Sequence, residues 1–388
     1  MAVLNAWQKV GRVLGGQDFG DGIGGAYTIS SDSNVRATIT GTATQMTGTA
    51  GSTAFSNGDL VMLHQTQGAG AGQWEINMIA SGGGTTSLTF VVANYYTYGT
   101  GAQIIKVSRY STLTISAHSI PAWNGSTGGI GVFCANVSTS IGGALNGTGT
   151  GYRNGAQNAS DGWLAGYQGE GYTAPPNSRN TAANTSGGGG GGGNNSGQGG
   201  GGGGGGAGHA SGGGNGDGAG YAGGAVGQID LLAIFPGGGG GGGGNDDAGG
   251  HPGAPGGIGG GMIIVFSKTV SITGSITVNG NNGSNSVSSW GGAGGGGAGG
   301  SILIVCETGT FGTNLMTATG GAGGARNDSG TGGAGSVGRI SVHHTGAITG
   351  ASNPAFNDTT DQLTDIIATT NYLKRYRRTR VSGSITGI

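Results

Sequence analysis

The segment PGGGGGGGGNDDAGGHPGAPGGIGGGMIIVF, from Pro236 to Phe266, decides the fold. It joins a pure glycine run, Gly237 to Gly244, to a short apolar run, Met262 to Phe266, and similar combinations recur through the second half of the chain. A flexible glycine-rich linker would be expected to lack apolar strands. Because glycine loses the most conformational entropy on ordering, an ordered glycine tract needs hydrogen bonds to neighbouring segments that compensate for this loss. The combination indicates glycine rods that are anchored by β-strands.

Composition excludes several classes of protein. Glycine supplies 101 of 388 residues, but the glycines are contiguous and only 7 prolines occur, so the chain is not collagen, which needs glycine at every third position. Charged residues make up 8% and the net charge is -1, which implies no general attraction to nucleic acid or to a membrane surface. The sequence also has no run of 18 apolar residues, so no membrane insertion is expected.

The glycine tracts at 187–193, 199–206 and 237–244 are predicted to form polyglycine II helices. Such a helix has three residues per turn and no internal hydrogen bonds, so every N–H and C=O group can pair with a neighbouring helix. Disorder is the alternative for these tracts. The lattice positions predicted from the sequence are Gly187, Gly190, Gly193, Gly199, Gly203, Gly206, Gly237, Gly240 and Gly244.

A repeat accompanies the tracts. Gly227, Gly261, Gly300 and Gly338 each precede an apolar run, with spacings of 34, 39 and 38 residues, and a weaker copy spans Gly129 to Val137. Near-constant spacing predicts a β-solenoid-like architecture in which each unit buries its apolar face against its neighbours. The expected fold class is all-β, with strands that alternate with a polyglycine II lattice.

Four regions are expected. Residues 1–22 form a short amphipathic helix for docking or capping, residues 23–120 an N-terminal β-domain, residues 121–350 the glycine-rich repeat domain, and residues 351–388 a basic tail. The tail, with YLKRYRR at 372–378, is interpreted as a subunit contact or a solvated face. The core of the β-domain is predicted to include Phe55, Leu60, Met62, Trp74, Ile76, Phe90, Ile104 and Val107.

Chemistry-bearing residues are sparse, so no catalytic residue, cofactor or metal site is predicted. The three glutamates are Glu75, Glu170 and Glu307, in separate segments. A depolymerase would need a carboxylate pair in one cleft. The acids expected in exposed segments are Glu170, Asp161, Asp217, Asp246 and Asp247. His343 and His344 lie in a strand-like run, which predicts that one ring is buried and the other solvated.

Connections between the rods are expected at exposed rod ends, in the spans 152–186, 207–226, 245–258, 281–290 and 325–331. Exposed aromatic side chains there can stack on sugars or anchor a protein contact, or they can cover the lattice edge. The candidate contact residues are Trp163, Tyr167, Tyr172, Tyr221 and Trp290.

In its repeats and glycine tracts, from about Gly187 to Gly335, the chain resembles the long-tail-fibre tip adhesins of T-even-like phages. Its Phe55–Gln67 and Pro121–Gly129 segments are similar to glycine-rich surface proteins of uncharacterised bacteria. The first resemblance implies a sandwich of polyglycine II helices with receptor-binding loops at one end. It implies a non-enzymatic tail-fibre or adhesive protein, homo-oligomeric, on a virion or outside the cell, whose target is a cell-surface glycan or an outer-membrane protein. The alternative is a self-assembling extracellular filament or surface-layer subunit.

An N-terminus without a recognisable secretory signal favours the virion, whose release by lysis needs no export.

Overall fold

The computed structural model describes residues 19, 21–29, 35–157, 164–173, 175, 179, 181–188, 190–191, 203–217, 220–246, 251–287, 290–326 and 330–360. These residues form an all-β structure without a helix. The strands are β1 (Ala26–Ile29), β2 (Arg36–Gly41), β3 (Thr47–Ala50), β4 (Leu60–Gln65), β5 (Trp74–Ser81), β6 (Ser87–Phe90), β7 (Ala102–Val107), β8 (Arg109–Ser119), β9 (Ile130–Asn146), β10 (Met262–Ile272), β11 (Ser275–Thr277), β12 (Ser301–Thr317), β13 (Arg339–His344), β14 (Ile348–Asn353) and β15 (Asn357–Thr360).

The larger sheet is parallel, with the strand order β1-β8-β9-β10-β12-β13-β15; β11 pairs with β9 and β12, and β14 pairs with β12. Its register places Ile130, Met262, Ser301 and Arg339 side by side. These residues directly follow Gly129, Gly261, Gly300 and Gly338, so the spacing read from the sequence is the register of the sheet.

The copy that begins at Gly227 was predicted as a strand, and this prediction is wrong. Residues 228–235 form turns, and Leu231 has a φ of 56°. Leu231 and Ile234 are nevertheless buried against the parallel sheet, so this segment supplies apolar cover without pairing.

The smaller sheet is an antiparallel closed barrel in the order β2-β3-β6-β5-β4-β7. All eight residues predicted for the core of the β-domain are buried. They divide between two clusters because side chains alternate along a strand. Val61 and Leu63 point into the barrel, whereas Leu60 and Met62 pack with Ile264 and Phe266 of the parallel sheet.

The other face of the parallel sheet forms a second apolar interior. Ile263, Val265, Ile302 and Ile304 pack there with residues farther along the same strands, such as Phe311. Each long strand therefore contributes twice to one cluster, as expected when a strand folds back over a shared core.

Beside the sheet lies a set of non-strand segments that we call the glycine array. Among the described residues it comprises twelve segments: 151–157, 164–171, 184–188 with 190–191, 203–209, 211–217, 220–226, 237–246, 251–261, 278–287, 290–300, 318–326 and 330–338. Apart from the bonds between Asn184 and Gly187, their backbone hydrogen bonds join different segments, and successive bonds to one neighbour are three residues apart. For example, the N–H groups of Gly237, Gly240 and Gly243 donate to the carbonyls of Gly260, Gly257 and Ala254.

Segment 290–300 shows the arrangement in full. Its N–H groups donate to segments 237–246, 278–287 and 330–338, and its carbonyls accept from segments 203–209, 251–261 and 318–326. Six neighbours around one rod leave no room for a side chain at its closest contacts: a Cβ placed on Gly295 would lie 2.0 Å from the carbonyl oxygen of Gly205.

Several predicted spans fall differently in the structure. The spans expected as exposed connections are largely array segments, and Tyr152, within the first of them, is fully buried with its hydroxyl donating to the carbonyl of Thr66. Strands β1 and β8 belong to the parallel sheet and not to the barrel, while the domain boundaries stay a prediction. Residues 1–18 of the predicted N-terminal helix, the tail beyond residue 360 and Gly193 and Gly199 lie outside the described residues, whereas the first residues of the predicted tail belong to β14 and β15. Within the described part of the chain, no helix meets the length and hydropathy needed to cross a membrane.

Candidate functional site at the loop end of the glycine array

One end of the array, which we call the loop end, collects many of the chain connections. Backbone hydrogen bonds between segment ends define it: the N–H groups of Asn245, Gly292 and Ala293 donate to the carbonyls of Leu164, Gly244 and Gly330. Counted over the described segments, six connections start and finish at this end: 157–164, 191–203, 217–220, 246–251, 287–290 and 326–330. At the opposite end, six of the twelve segments adjoin strands of the parallel sheet: 151–157, 251–261, 278–287, 290–300, 318–326 and 330–338.

An exposed apolar and cationic patch lies at the loop end. Val287 is 89% exposed and Trp290 37% exposed, on either side of one connection. The guanidinium of Arg326 donates to the backbone carbonyl of Trp290 at 3.5 Å, which places a cationic residue of the neighbouring segment beside Trp290. An aromatic side chain with a cation beside it is a common anchor for a binding partner.

Polar groups continue the surface away from Trp290. The backbone N–H of Ala293 bonds the carbonyl of Gly330, and next to it the Thr331 hydroxyl donates to the carboxylate of Asp217. This hydrogen bond lowers the pKa of Asp217 below its ordinary value. The side chain of Tyr221, 56% exposed, extends from the segment beyond Asp217.

The predicted contact residues do not form one cluster. Tyr221 and Trp290 lie toward the same end, on segments separated by one other, 203–209. Tyr167 is half-buried, with the Arg179 guanidinium carbon 5.0 Å from its ring centroid. Tyr172 lies at the opposite end, where its ring packs edge-on to Phe235 at 5.7 Å. Trp163 lies outside the described residues.

The acids behave differently from the sequence expectation. Glu170 was expected to be exposed but is fully buried, where it accepts hydrogen bonds from the Nε, Nη2 and backbone N of Arg153 and from Gln67. Asp246, also expected to be exposed, is 2% exposed. Asp217 is exposed as expected, whereas Asp161 and Asp247 lie outside the described residues.

Other buried ionisable groups, such as Glu75 and His344, have structural partners. Glu75 accepts from the backbone of Tyr95 and from the hydroxyl of Tyr98. His343 and His344 are both largely buried, so the expectation of one solvated ring is wrong: strand β15 lies beside them, and Asp358 contacts His344 at 2.7 Å. The two cysteines, Cys134 and Cys306, are free and buried, and desolvation raises the pKa of each thiol to about 12.

One signal in the sequence was missed. Asn279, Asn282 and Asn285 are spaced by three residues, and their side-chain oxygens accept from the backbone N–H groups of residues 319, 322 and 325, each at 2.8 Å. The three-residue period of the array is therefore also visible in the spacing of these asparagines.

Comparison with known proteins does not assign the chain to a family. No protein-family model matches the chain, and no curated protein matches it. Among solved structures, it has a weak similarity to the Gp54 tailspike of Acinetobacter baumannii bacteriophage AP22, a structure in complex with A. baumannii capsular saccharide. The identity is 10% and the TM-score 0.18, over 86% of this chain and 58% of the tailspike chain. A likeness at this level carries no argument about function.

Proposed function

We propose that this chain is a non-enzymatic adhesive protein, a receptor-binding component of a phage tail, which presents the loop end of its glycine array to a cell surface. The observation that carries the proposal is that the described residues flanking six connections lie at one end of the array. Side chains in those connections can vary without disturbing the rods, because the hydrogen bonds of the array are made by backbone groups.

We further infer that the array is a lattice of polyglycine II helices. Hydrogen bonds at every third residue, almost all of them between segments, support this assignment, as do the six neighbours of segment 290–300. Such a lattice would act as a rigid support, which reduces the entropy that a binding surface loses when it engages its target.

The chemistry of the loop end suits a hydroxyl-rich or amphipathic target. Trp290 offers a flat apolar face, Arg326 offers hydrogen-bond donors, and the Asp217 carboxylate offers acceptors. These are the groups that recognise a sugar ring, whose faces are apolar and whose rim carries hydroxyls. A cell-surface glycan is therefore the favoured target, and an outer-membrane protein is the alternative.

The test is binding of the full-length, fluorescently labelled chain to a panel of bacterial cells. On a strain that the chain binds, Trp290→Ala should weaken binding by about tenfold or more, the range of an interface anchor. The matched control is Val91→Ala, which removes an apolar side chain of similar exposure from the barrel surface. Equal loss in both variants, or no loss in either, would contradict a site at the loop end. Cells stripped of capsular and lipopolysaccharide glycan distinguish the two targets.

The non-enzymatic part of the proposal is supported by the acids. Glu75 and Glu170 are buried with their oxygens committed to protein donors, which leaves them poorly placed to act as an acid–base pair. Purified chain incubated with a glycan that it binds should release no new reducing ends. Sustained release of reducing ends by the pure protein would identify it as a depolymerase.

A filament subunit is the second candidate, because the parallel sheet ends in two different strands. Among the described residues, β1 pairs with β8 alone and β15 with β13 alone, so each offers an outer backbone edge. Negative-stain microscopy separates the candidates: fibres that grow from the pure chain would favour this one.

A further inference from the structure

The outer face of the parallel sheet carries two rows of small hydroxyl side chains, which we call the hydroxyl face. Its residues alternate along the strands with buried ones such as Leu113, Ile115, Val270 and Ile272, so they point away from the core. The first row is Thr112, Ser138, Thr269 and Thr308, with Ala26 beside Thr112 at its end; the second is Thr28, Thr114, Ser140, Ser271, Thr310 and Thr349.

The register gives the hydroxyl face two repeats. Residues of one row sit on adjacent strands, about 4.8 Å apart, and the two rows are two residues apart along each strand, about 6.6 Å. Within the first row, the hydroxyls of Thr269 and Thr308 are 3.4 Å apart, so neighbouring groups are aligned. The outcome is a two-dimensional grid of hydroxyl and methyl groups.

The grid is held rigidly from behind. The strands are bound to each other by parallel ladders, and the side chains beneath the rows, among them Ile141, Val270 and Phe311, are fully buried. Because protein interiors are close-packed, the strands cannot easily shift relative to one another.

The chemistry of the rows narrows the choice of partner. Neither row contains a charged residue, so neither matches nucleic acid or an anionic surface. Neither contains an aromatic, Met or Arg side chain, the anchors that dominate protein interfaces and sugar-stacking platforms. What the rows offer is a regular grid of groups that both donate and accept a hydrogen bond.

We propose that the hydroxyl face binds ordered water, namely the surface of an ice crystal. An ice surface is an extended, uncharged lattice in which each oxygen also donates and accepts hydrogen bonds. A rigid grid with repeats in two directions can hold many of these waters at once, whereas it has no feature that would select a single small molecule. The assignment is independent of the loop end, since the two surfaces share no residue.

The test is partition of the fluorescently labelled full-length chain into a slowly growing ice hemisphere, with thermal melts to verify folding. The wild-type chain should be incorporated into the ice. Thr310→Tyr and Ser140→Tyr, which place a bulky ring within the second row, should fall to the level of an inert labelled protein. Thr49→Tyr makes the same kind of change on an exposed barrel strand and should behave as wild type.

Exclusion of the wild-type chain from ice would overturn the proposal, and so would retention of both folded face variants. Analytical ultracentrifugation tests whether a second copy of the chain covers the hydroxyl face instead. A dimer of the wild-type chain that Thr310→Tyr dissociates would show that a second copy covers the hydroxyl face, and the proposal would again fail.

Discussion

Gly295→Ala tests whether close backbone packing holds the array together. A Cβ on Gly295 would lie 2.0 Å from the carbonyl oxygen of Gly205, about 1.4 Å inside ordinary van der Waals contact. That oxygen accepts from Gly241, whose own carbonyl accepts from Gly295, and the Gly295 carbonyl accepts from Gly257, with N···O distances of 2.8–2.9 Å. Relief of the clash must therefore lengthen hydrogen bonds on several sides of segment 290–300.

Loss of two buried hydrogen bonds with their groups left unsatisfied costs about 2–6 kcal/mol. Alanine returns about 0.4–1 kcal/mol by restricting the unfolded chain. The free energy of unfolding should thus fall by at least about 1 kcal/mol and by up to about 5.6 kcal/mol.

The assay is guanidinium unfolding followed by circular dichroism, with Gly224→Ala as the control. A Cβ on Gly224, also in the array, has its nearest neighbour at 3.5 Å, the carbonyl oxygen of Thr185. This variant should unfold within about 1 kcal/mol of wild type. Coincident transitions for Gly295→Ala and Gly224→Ala would refute the packing argument.

Two further predictions concern buried ionisable groups. Glu170→Gln breaks the pair with Arg153 and should lower the free energy of unfolding by about 1–3 kcal/mol, measured by urea unfolding, whereas Glu307→Gln, at an exposed position, should change it by less than about 0.5 kcal/mol. Burial, with a smaller contribution from the charge of Arg339, lowers the pKa of His209 to about 4. Its unfolded pKa is near 6.5, so the unfolded chain binds the extra proton, and stability should fall as the pH drops from about 6.5 toward about 4. Melting temperatures across this range should show a flatter profile for His209→Gln; an equally steep profile would assign the pH dependence to other groups.

The parallel sheet was the part most readable from the sequence. Strands β9, β10, β12 and β13 each begin directly after a glycine, most of them with an apolar run, and their spacing equals the observed register. The strand predicted after Gly227 is wrong because an apolar run does not by itself specify a strand. Leu231 takes a left-handed φ, and the carbonyl of the neighbouring Asp230 contacts His343. Closure of the barrel was not readable, since it depends on pairing of Arg36 with Ile105, far apart in the chain.

The candidate site was only partly predictable. Exposed aromatic residues could be proposed by type, but the end of the array on which each one lies depends on the direction of its segment, which separates Tyr172 from Trp290. Burial of Glu170 depends on Gln67, 103 positions away. The hydroxyl rows left a trace in the sequence, the alternating pairs Thr112 with Thr114 and Thr308 with Thr310, but their alignment needs the register.

Two kinds of interior coexist in this molecule, and they should respond differently to cooling. The clusters around the sheet and barrel are apolar, so their unfolding raises the heat capacity and their contribution to stability weakens in the cold. The array interior consists of peptide groups, and exposure of polar surface lowers the heat capacity. A chain built this way has a flatter stability curve than its length would suggest, and its glycine array should hold the loop end in place at temperatures where an apolar scaffold loses strength.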